Sequence, residues 1–415
     1  MRKSIFVAAA SAVALMLSAC GGGSSTNSTA KTSEAPAASQ SAASTGVTLT
    51  VWSDSNREAA LKDAAAKFEA QTGNHVDVVV REFGDIRADF STQVSNGEGP
   101  DITVGANDWL GEFAANGLVS PIELGDKQDQ FDATAVKAFT YNGQTYGVPY
   151  AIENVAIIRN KALADSTPEK FEDMIAKGKA AGTKYPFVVQ TTDKGDPYTY
   201  YALQASFGSS VFATGDKGEL TSDLTLGDAK GEAFAKWLGE QGKAGVFETA
   251  MTYDVAVDAF KTGQAPYILG GPWMVKDFKD AGIDISVDPV PSAGGEKAVP
   301  FVGVQGFYVS SASKNQIVAN QFLTEYMATE EAQLAIYKAG DRLPALTSAA
   351  KKAAEDPATA GFAKAAEGAQ FMPNIPAMNS VWTPWGVAEA KIIDGADPVS
   401  TWQSMVSEVQ ASIAK

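Results

Sequence analysis

The sequence predicts an α/β fold built as two lobes. Three observations carry that prediction. Val47-Thr48-Leu49-Thr50-Val51-Trp52 is a β-branched strand, residues 57–71 have helical patterning, and His75–Val80 is the next strand. This β-α-β spacing with apolar strands points to a parallel sheet covered by helices. Residues 146–160 then read YGVPYAIENVAIIRN, an apolar run punctuated by Gly147 and Pro149 and carrying one acid, Glu153. Proline is misplaced in a central strand but suits an edge or a crossing, and an acid in such a run is costly unless something satisfies it. The stretch reads as a strand passing from one lobe to a second, with Glu153 at the cleft between them. Taken alone it also reads as an edge strand with Glu153 facing water. Finally, 415 residues are enough for the cores of two or three domains.

Composition narrows the function classes. The chain is 45% hydrophobic and 20% charged, as soluble globular proteins are. Its net charge of -16 disfavours nucleic acid and anionic membrane surfaces as partners. A polyanionic ligand would need a local basic pocket. There is one cysteine, Cys20, and one histidine, His75. A Ser-His-Asp or Cys-His nucleophilic site would have to use His75, which sits at a turn entering a strand. A zinc site of His and Cys ligands is disfavoured as well, and no metal or cofactor is expected.

Arg2 and Lys3 precede an apolar run over residues 5–17, the length of a signal-peptide core and too short to span a bilayer. Leu17-Ser18-Ala19-Cys20 follows and resembles the lipobox of bacterial lipoprotein precursors. That resemblance implies a signal peptide over 1–19 and lipidation of Cys20 as the mature N-terminus. Cleavage near Ala19 by an ordinary signal peptidase is the other reading. Residues 21–46 are mostly Gly, Ser, Thr and Ala with a little Pro, and contain no Leu, Ile, Val or aromatic residue. Such a segment buries no core and predicts a flexible tether, with an r.m.s. span of roughly 28 Å.

The folded part is justified element by element. Ser53-Asp54-Ser55-Asn56 offers an N-cap for the first helix and Gly73 its stop. Residues 86–95 are a second amphipathic helix. Gly99-Pro100-Asp101 turns into a strand at Ile102, and Asn107-Asp108-Trp109-Leu110 caps a third helix ending near Gly117. Thr167-Pro168-Glu169 places proline at the first turn of a helix. Residues 185–190 read as a strand, and Asp196-Pro197-Tyr198 starts a helix rich in aromatics. Helices are predicted over 232–241 and Tyr253–Lys261. A strand over 266–269 runs into Gly270-Gly271-Pro272-Trp273, another helix start. Residues 301–309 form a long strand and a second crossing. The last third is mostly helical, over 315–327, 330–339, 357–370, 387–395 and 398–414.

From about Leu49 to the C-terminus the chain resembles the extracytoplasmic solute-binding proteins of ABC sugar importers, and within them the maltose/maltodextrin-binding proteins. The broadly shared marks are Gly97-Glu98-Gly99-Pro100-Asp101, Asn160-Lys161 and Gly271-Pro272-Trp273. More specific are Pro300-Phe301-Val302-Gly303-Val304 and Met372-Pro373-Asn374-Ile375-Pro376, with Met378 and Trp382 following. The resemblance implies a two-lobe periplasmic-binding-protein-like fold with crossing hinge strands and the ligand in the interlobe cleft. It places the N-lobe at 47–151 plus 305–349 and the C-lobe at 152–304 plus 350–415. Closure would be a hinge motion. It also implies a lipid-anchored, monomeric protein on the outer face of the cell membrane. Its partners would be a malto-oligosaccharide or related neutral sugar and ABC permease subunits.

A glucose ring has apolar C–H faces and an edge of hydroxyls, so binding needs aromatic planes and carboxylates or amides. The resemblance carries this chemistry to Asp108 and Glu153 as hydroxyl acceptors, and to Asp196 and Tyr198 at an acid-Pro-aromatic helix start. Asp108 also reads as a plain N-cap. Trp273 and Trp382 would stack on sugar rings; Trp237 and Trp402 sit mid-helix and read as core. Asp54, Ser53, Arg87 and Gln305 stand at the cleft rim. Three positions depart from the family pattern: Gly105 stands where maltose binders often carry tryptophan, Trp109 where arginine is common, and Gly386 in place of another arginine of the family. One stacking surface of the N-lobe is therefore expected to be missing. Competing readings are the same transport role for another oligosaccharide, trehalose or a polyol, and a secreted glycoside hydrolase using Asp108 and Glu153. An adhesive surface lipoprotein is a further reading, though it would have no use for such a cleft.

Overall fold

The structure, a computed structural model, describes residues 46–215, 220–369 and 371–414. The expected signal peptide (1–19), Cys20 and the tether up to residue 45 lie outside them.

Seven strands make the larger sheet. Thr48–Ser53 lies between His75–Val80 and Ile102–Ala106 and is parallel to both, as the β-α-β spacing predicts. Beyond them the sheet turns antiparallel. Gly303–Ser310 pairs with Ile102–Ala106, and Gly147–Glu153 pairs with Gly303–Ser310. Leu343–Pro344 closes the far edge, and Val119–Ser120 joins the end of Gly303–Ser310. The expected parallel sheet is thus a mixed one. One crossing strand takes the chain out of the sheet and the other brings it back, so the two run in opposite directions.

The smaller sheet orders as Ile285–Asp288, Ala156–Asn160, Tyr267–Gly270, Val188–Val189. Ala156–Asn160 is antiparallel to both neighbours, while Tyr267–Gly270 and Val188–Val189 are parallel. Only Asn154 and Val155 separate the end of Gly147–Glu153 from Ala156–Asn160, so the apolar run at 146–160 does pass from one sheet to the other. Pro149 is accommodated where the register with Gly303–Ser310 shifts, and its carbonyl accepts from Gln333 Nε2 at 3.0 Å. A second pair of passages lies side by side: Val302 bridges Phe371, and the Met372 amide donates to the Val302 carbonyl at 2.9 Å. Buried Asn107 pins them to the larger sheet, donating to the Met372 carbonyl (2.9 Å) and accepting from the Val304 amide (3.0 Å).

Each sheet carries its own apolar packing. Leu49, Val51, Leu61, Phe68 and Phe90 are fully buried around the larger one, and Ile158, Ile268, Phe260 and Phe278 around the smaller. Burying a side chain of this size contributes about 1.5–3 kcal/mol. Trp237 and Trp402 are buried, as their mid-helix positions predict.

Several elements depart from expectation. The helix predicted at Pro168 begins at Phe171, because 169–171 are used in main-chain pairing with Ser292. The strand over 185–190 shortens to Val188–Val189. Residues 315–327 form a helix, Gln316–Gln321, continued by a wider turn, Phe322–Met327. The helix expected from Val387 starts at Trp382, with Pro384 tolerated in its first turn. Helices Ala133–Ala138 and Thr347–Ala353 and strand Ile285–Asp288 were not expected at all.

Candidate functional site

A cleft of about 910 Å³ runs along the strand ends of both sheets. On the larger sheet, each of the three parallel strands finishes at it: Asp54 follows Ser53, Arg81 follows Val80, and Asp108 follows Ala106. On the smaller sheet, Gln190 follows Val189 and Trp273 follows the strand ending at Gly270. Ligands of open α/β sheets bind at this end because loops there can vary while the strands hold them. Asp54, Arg87, Asp108, Glu153, Tyr198, Trp273, Trp382 and Gln305 all line the cleft.

The acids are held in distinct ways. Glu153 is buried; its Oε1 accepts from Gln305 Nε2 at 2.8 Å and its Oε2 pairs with Arg342 Nε. Asp108 does not cap its helix. It sits in the short helical turn Asn107–Trp109 and accepts from Trp382 Nε1 at 2.9 Å. Burial pushes its carboxyl above the usual range, opposed by the nearby charge of Arg87. Asp54 occupies the N-cap position of helix Ser55–Thr72 but makes no side-chain cap bond. Its carboxylate pairs instead with Arg57, whose buried guanidinium lies 5.2 Å from the ring centres of both Phe83 and Tyr150. Arg87 pairs with Glu112 at 2.7 Å. The cleft's charges are therefore largely neutralised within the protein, which suits an uncharged ligand.

The rings form platforms. Trp382 lies parallel to buried Trp385, with centroids 5.8 Å apart and planes at 10°. Trp273 folds back over Gly271, where a Cβ would come within 2.0 Å of the indole, so only glycine permits this pose. Tyr198 stands 6.3 Å from Trp273. Five buried polar atoms on the lining have no hydrogen-bond partner among the described residues: Asp54 Oδ1, Arg81 Nε, Gln190 Oε1, Tyr198 Oη and Gln305 Oε1. Buried polar groups are almost always paired, and an unpaired one costs about 1–3 kcal/mol. A cluster of them along one cleft is hydrogen-bonding capacity that the protein's own side chains leave open to a polar ligand or water.

Asp196 is placed differently from its neighbours. It does not line the cleft; it caps helix Pro197–Ala205, accepting from the Thr199 amide at 3.3 Å and from Gln190 Nε2. Gln190 stands in its place at the surface. The two glycine departures also acquire reasons. A Cβ at Gly105 would lie 2.5 Å from the Trp109 ring, so Trp109 covers the spot where a residue-105 side chain would rise, and it lines the cleft there. A Cβ at Gly386 would lie 2.2 Å from the Lys194 carbonyl, so that position is a close backbone contact and not part of the lining. Sequence reasoning missed Gln190, Tyr253, Arg342 and Met372 as lining residues. A polar residue just past a short strand was the available signal for Gln190; Arg342 had none.

The sequence pattern of the bacterial extracellular solute-binding proteins matches residues 63–364. The chain belongs to that family. A maltodextrin-binding protein of Bacillus subtilis is 28% identical, over 98% of this chain and 96% of its own length. A galactooligosaccharide-binding protein of the same organism is also 28% identical, over 95% and 93%. The Thermus thermophilus maltotriose binding protein, solved with maltotriose bound, superposes with a TM-score of 0.81 at 32% identity, covering 88% of this chain and all of that one.

The cleft lining of this solute-binding protein carries the side-chain chemistry that recognition of a solute uses. The paired acids offer fixed acceptors, the amides and Tyr198 hydroxyl offer both senses of hydrogen bond, and the indoles offer flat apolar faces. That combination fits a polyhydroxylated ring compound.

Proposed function

We propose that this protein is the lipid-anchored binding component of an ABC importer, which captures malto-oligosaccharides between two lobes and passes them to a permease. The observation that carries the reading is the lining itself, where indole and phenol rings stand beside five buried polar atoms with no partner among the described residues. The lobes are proposed as 47–151 plus 305–349 and 152–304 plus 350–415. Strands that run directly from one sheet to the other support a hinge there. The lipobox-like Leu17–Cys20 stretch and the composition of residues 21–46 support anchoring through Cys20 on the outer face of the cell membrane. Asp108, Glu153, Tyr198, Trp273, Trp382, Asp54 and Arg87 act on the sugar directly or at the rim, and Asp196 acts through Gln190. The cleft binds and releases without chemistry, since Glu153 is tied between Gln305 and Arg342.

A galactooligosaccharide is the second reading, supported by the likeness to the Bacillus subtilis galactooligosaccharide-binding protein and consistent with the reshaped stacking surface where Trp109 stands over Gly105. Tryptophan fluorescence separates the readings, using maltose, maltotriose, longer maltodextrins, β-galactooligosaccharides and trehalose. Saturation by α-1,4-glucans alone supports the first. Saturation by a β-galactoside replaces the sugar and keeps the transport role. Shortened sugar products after incubation would contradict both.

A further inference from the structure

Arg342 joins two residues that reach the cleft from different sheets. It follows Asp341, which ends helix Glu330–Gly340 with a φ of 52°, and precedes the strand Leu343–Pro344. That strand pairs with Ile152 and Ala151, so the arginine backbone is fixed beside the end of the crossing strand. From there its Nε pairs with Glu153 Oε2, on the larger sheet. Its guanidinium carbon lies 5.5 Å from the ring centre of Trp273, which follows a strand of the smaller sheet. The side chain is 11% exposed and lines the cleft. Among the described residues only its Nε donates a hydrogen bond, which leaves the Nη groups of a rigid planar fork.

We propose that Arg342 is a specificity-determining residue of this cleft, forming with Glu153 a donor–acceptor pair that reads two neighbouring hydroxyls of a sugar whose face rests on Trp273. One hydroxyl donates to Glu153, and its neighbour accepts from Arg342 Nη. A cation over the indole face also holds the plane of Trp273 relative to that pair. A lysine lacks the fork and satisfies only part of this arrangement. The inference rests on the malto-oligosaccharide reading and deepens it.

The test uses calorimetry on the full chain with maltotriose and a set of maltotriose analogues each lacking one hydroxyl. Wild type, Arg342→Met and Arg342→Lys are compared, and the melting temperature of each is recorded. The expected loss for Arg342→Met on maltotriose is about 10- to 100-fold, that of a charge-assisted bond. Arg342→Lys recovers part of it. At least one deoxy analogue binds wild type and Arg342→Met alike, because its missing hydroxyl is the one the arginine reads. If Arg342→Met does not fold, the same pattern is sought in Arg342→Lys, which keeps the charge opposite Glu153. Equal maltotriose affinity in wild type and variants overturns the inference and leaves the proposed function standing. A uniform loss across every analogue also overturns it, since that is the signature of a structural role. Failure of wild type to bind any of these sugars overturns the inference together with the reading beneath it.

Discussion

The indole Nε1 of Trp382 donates to Asp108 Oδ2 at 2.9 Å, across 274 positions of sequence. On the proposed reading, this bond fixes a ring platform and a hydroxyl acceptor to each other. Preorganisation of this kind reduces the ordering cost of binding. Trp382→Phe keeps a ring and deletes the donor, leaving the buried Asp108 carboxyl without its partner. The expected cost is about 1.5–3 kcal/mol, shared between stability and affinity. Denaturant melts and calorimetry on the same variant measure the two shares; no change in either contradicts the role given to the pair.

Tyr198 separates ligand recognition from folding. Its hydroxyl is buried without a partner among the described residues, and burial pushes its pKa well above the usual tyrosine value. Tyr198→Phe should leave the melting temperature of the free protein unchanged or slightly raised. Sugar affinity should fall by roughly 0.5–1.5 kcal/mol, the worth of one neutral hydrogen bond. A loss of stability without a loss of affinity would assign the hydroxyl to the fold.

Gly105 tests the packing that replaces an expected aromatic. A Cβ there would meet Trp109 at 2.5 Å and Tyr308 at 2.9 Å. Gly105→Ala therefore forces Trp109 to move and should destabilise by about 1–3 kcal/mol. The displaced indole should also alter near-UV circular dichroism and weaken binding. Unchanged spectra would mean that Trp109 does not need the bare glycine.

Glu389 predicts a pH dependence. It is fully buried in helix Trp382–Ile393, and burial raises its carboxyl well above the usual 4.5, with Asp196 adding to the rise. A carboxyl raised in the folded state binds more protons folded than unfolded once pH exceeds the unfolded value. Its effect is therefore a loss of stability as pH climbs from about 4.5 through the raised folded value, complete above it. Glu389→Gln removes that slope. Urea melts at several pH values should show the variant gaining on wild type as pH rises. Parallel curves would contradict the assignment.

Much of this was legible locally, and the reasons are physical. The β-α-β start, the glycine that closes the first helix at φ 72°, and the proline-marked crossing strand follow from patterns within a few residues of one another. Gly270-Gly271-Pro272-Trp273 was legible as the start of a helical turn, whereas the fold-back of the indole over the bare Gly271 Cα was not. What escaped notice depends on partners far away in the chain. Asp54 looked like a cap, yet a buried arginine one turn on captures its carboxylate. Pro168 looked like a helix start, but Ser292 claims the backbone around it. Arg342 lies 189 positions from Glu153, and no periodicity links them.

The most direct measurement is a calorimetric titration of wild-type protein and of Trp273→Ala with maltotriose. The account predicts saturable one-to-one binding to wild type, weakened in the variant by roughly 1–3 kcal/mol as for a buried aromatic anchor, with unchanged far-UV circular dichroism. Wild type that takes up no α-1,4-glucan, or a folded Trp273→Ala that binds it as tightly as wild type, would contradict the account.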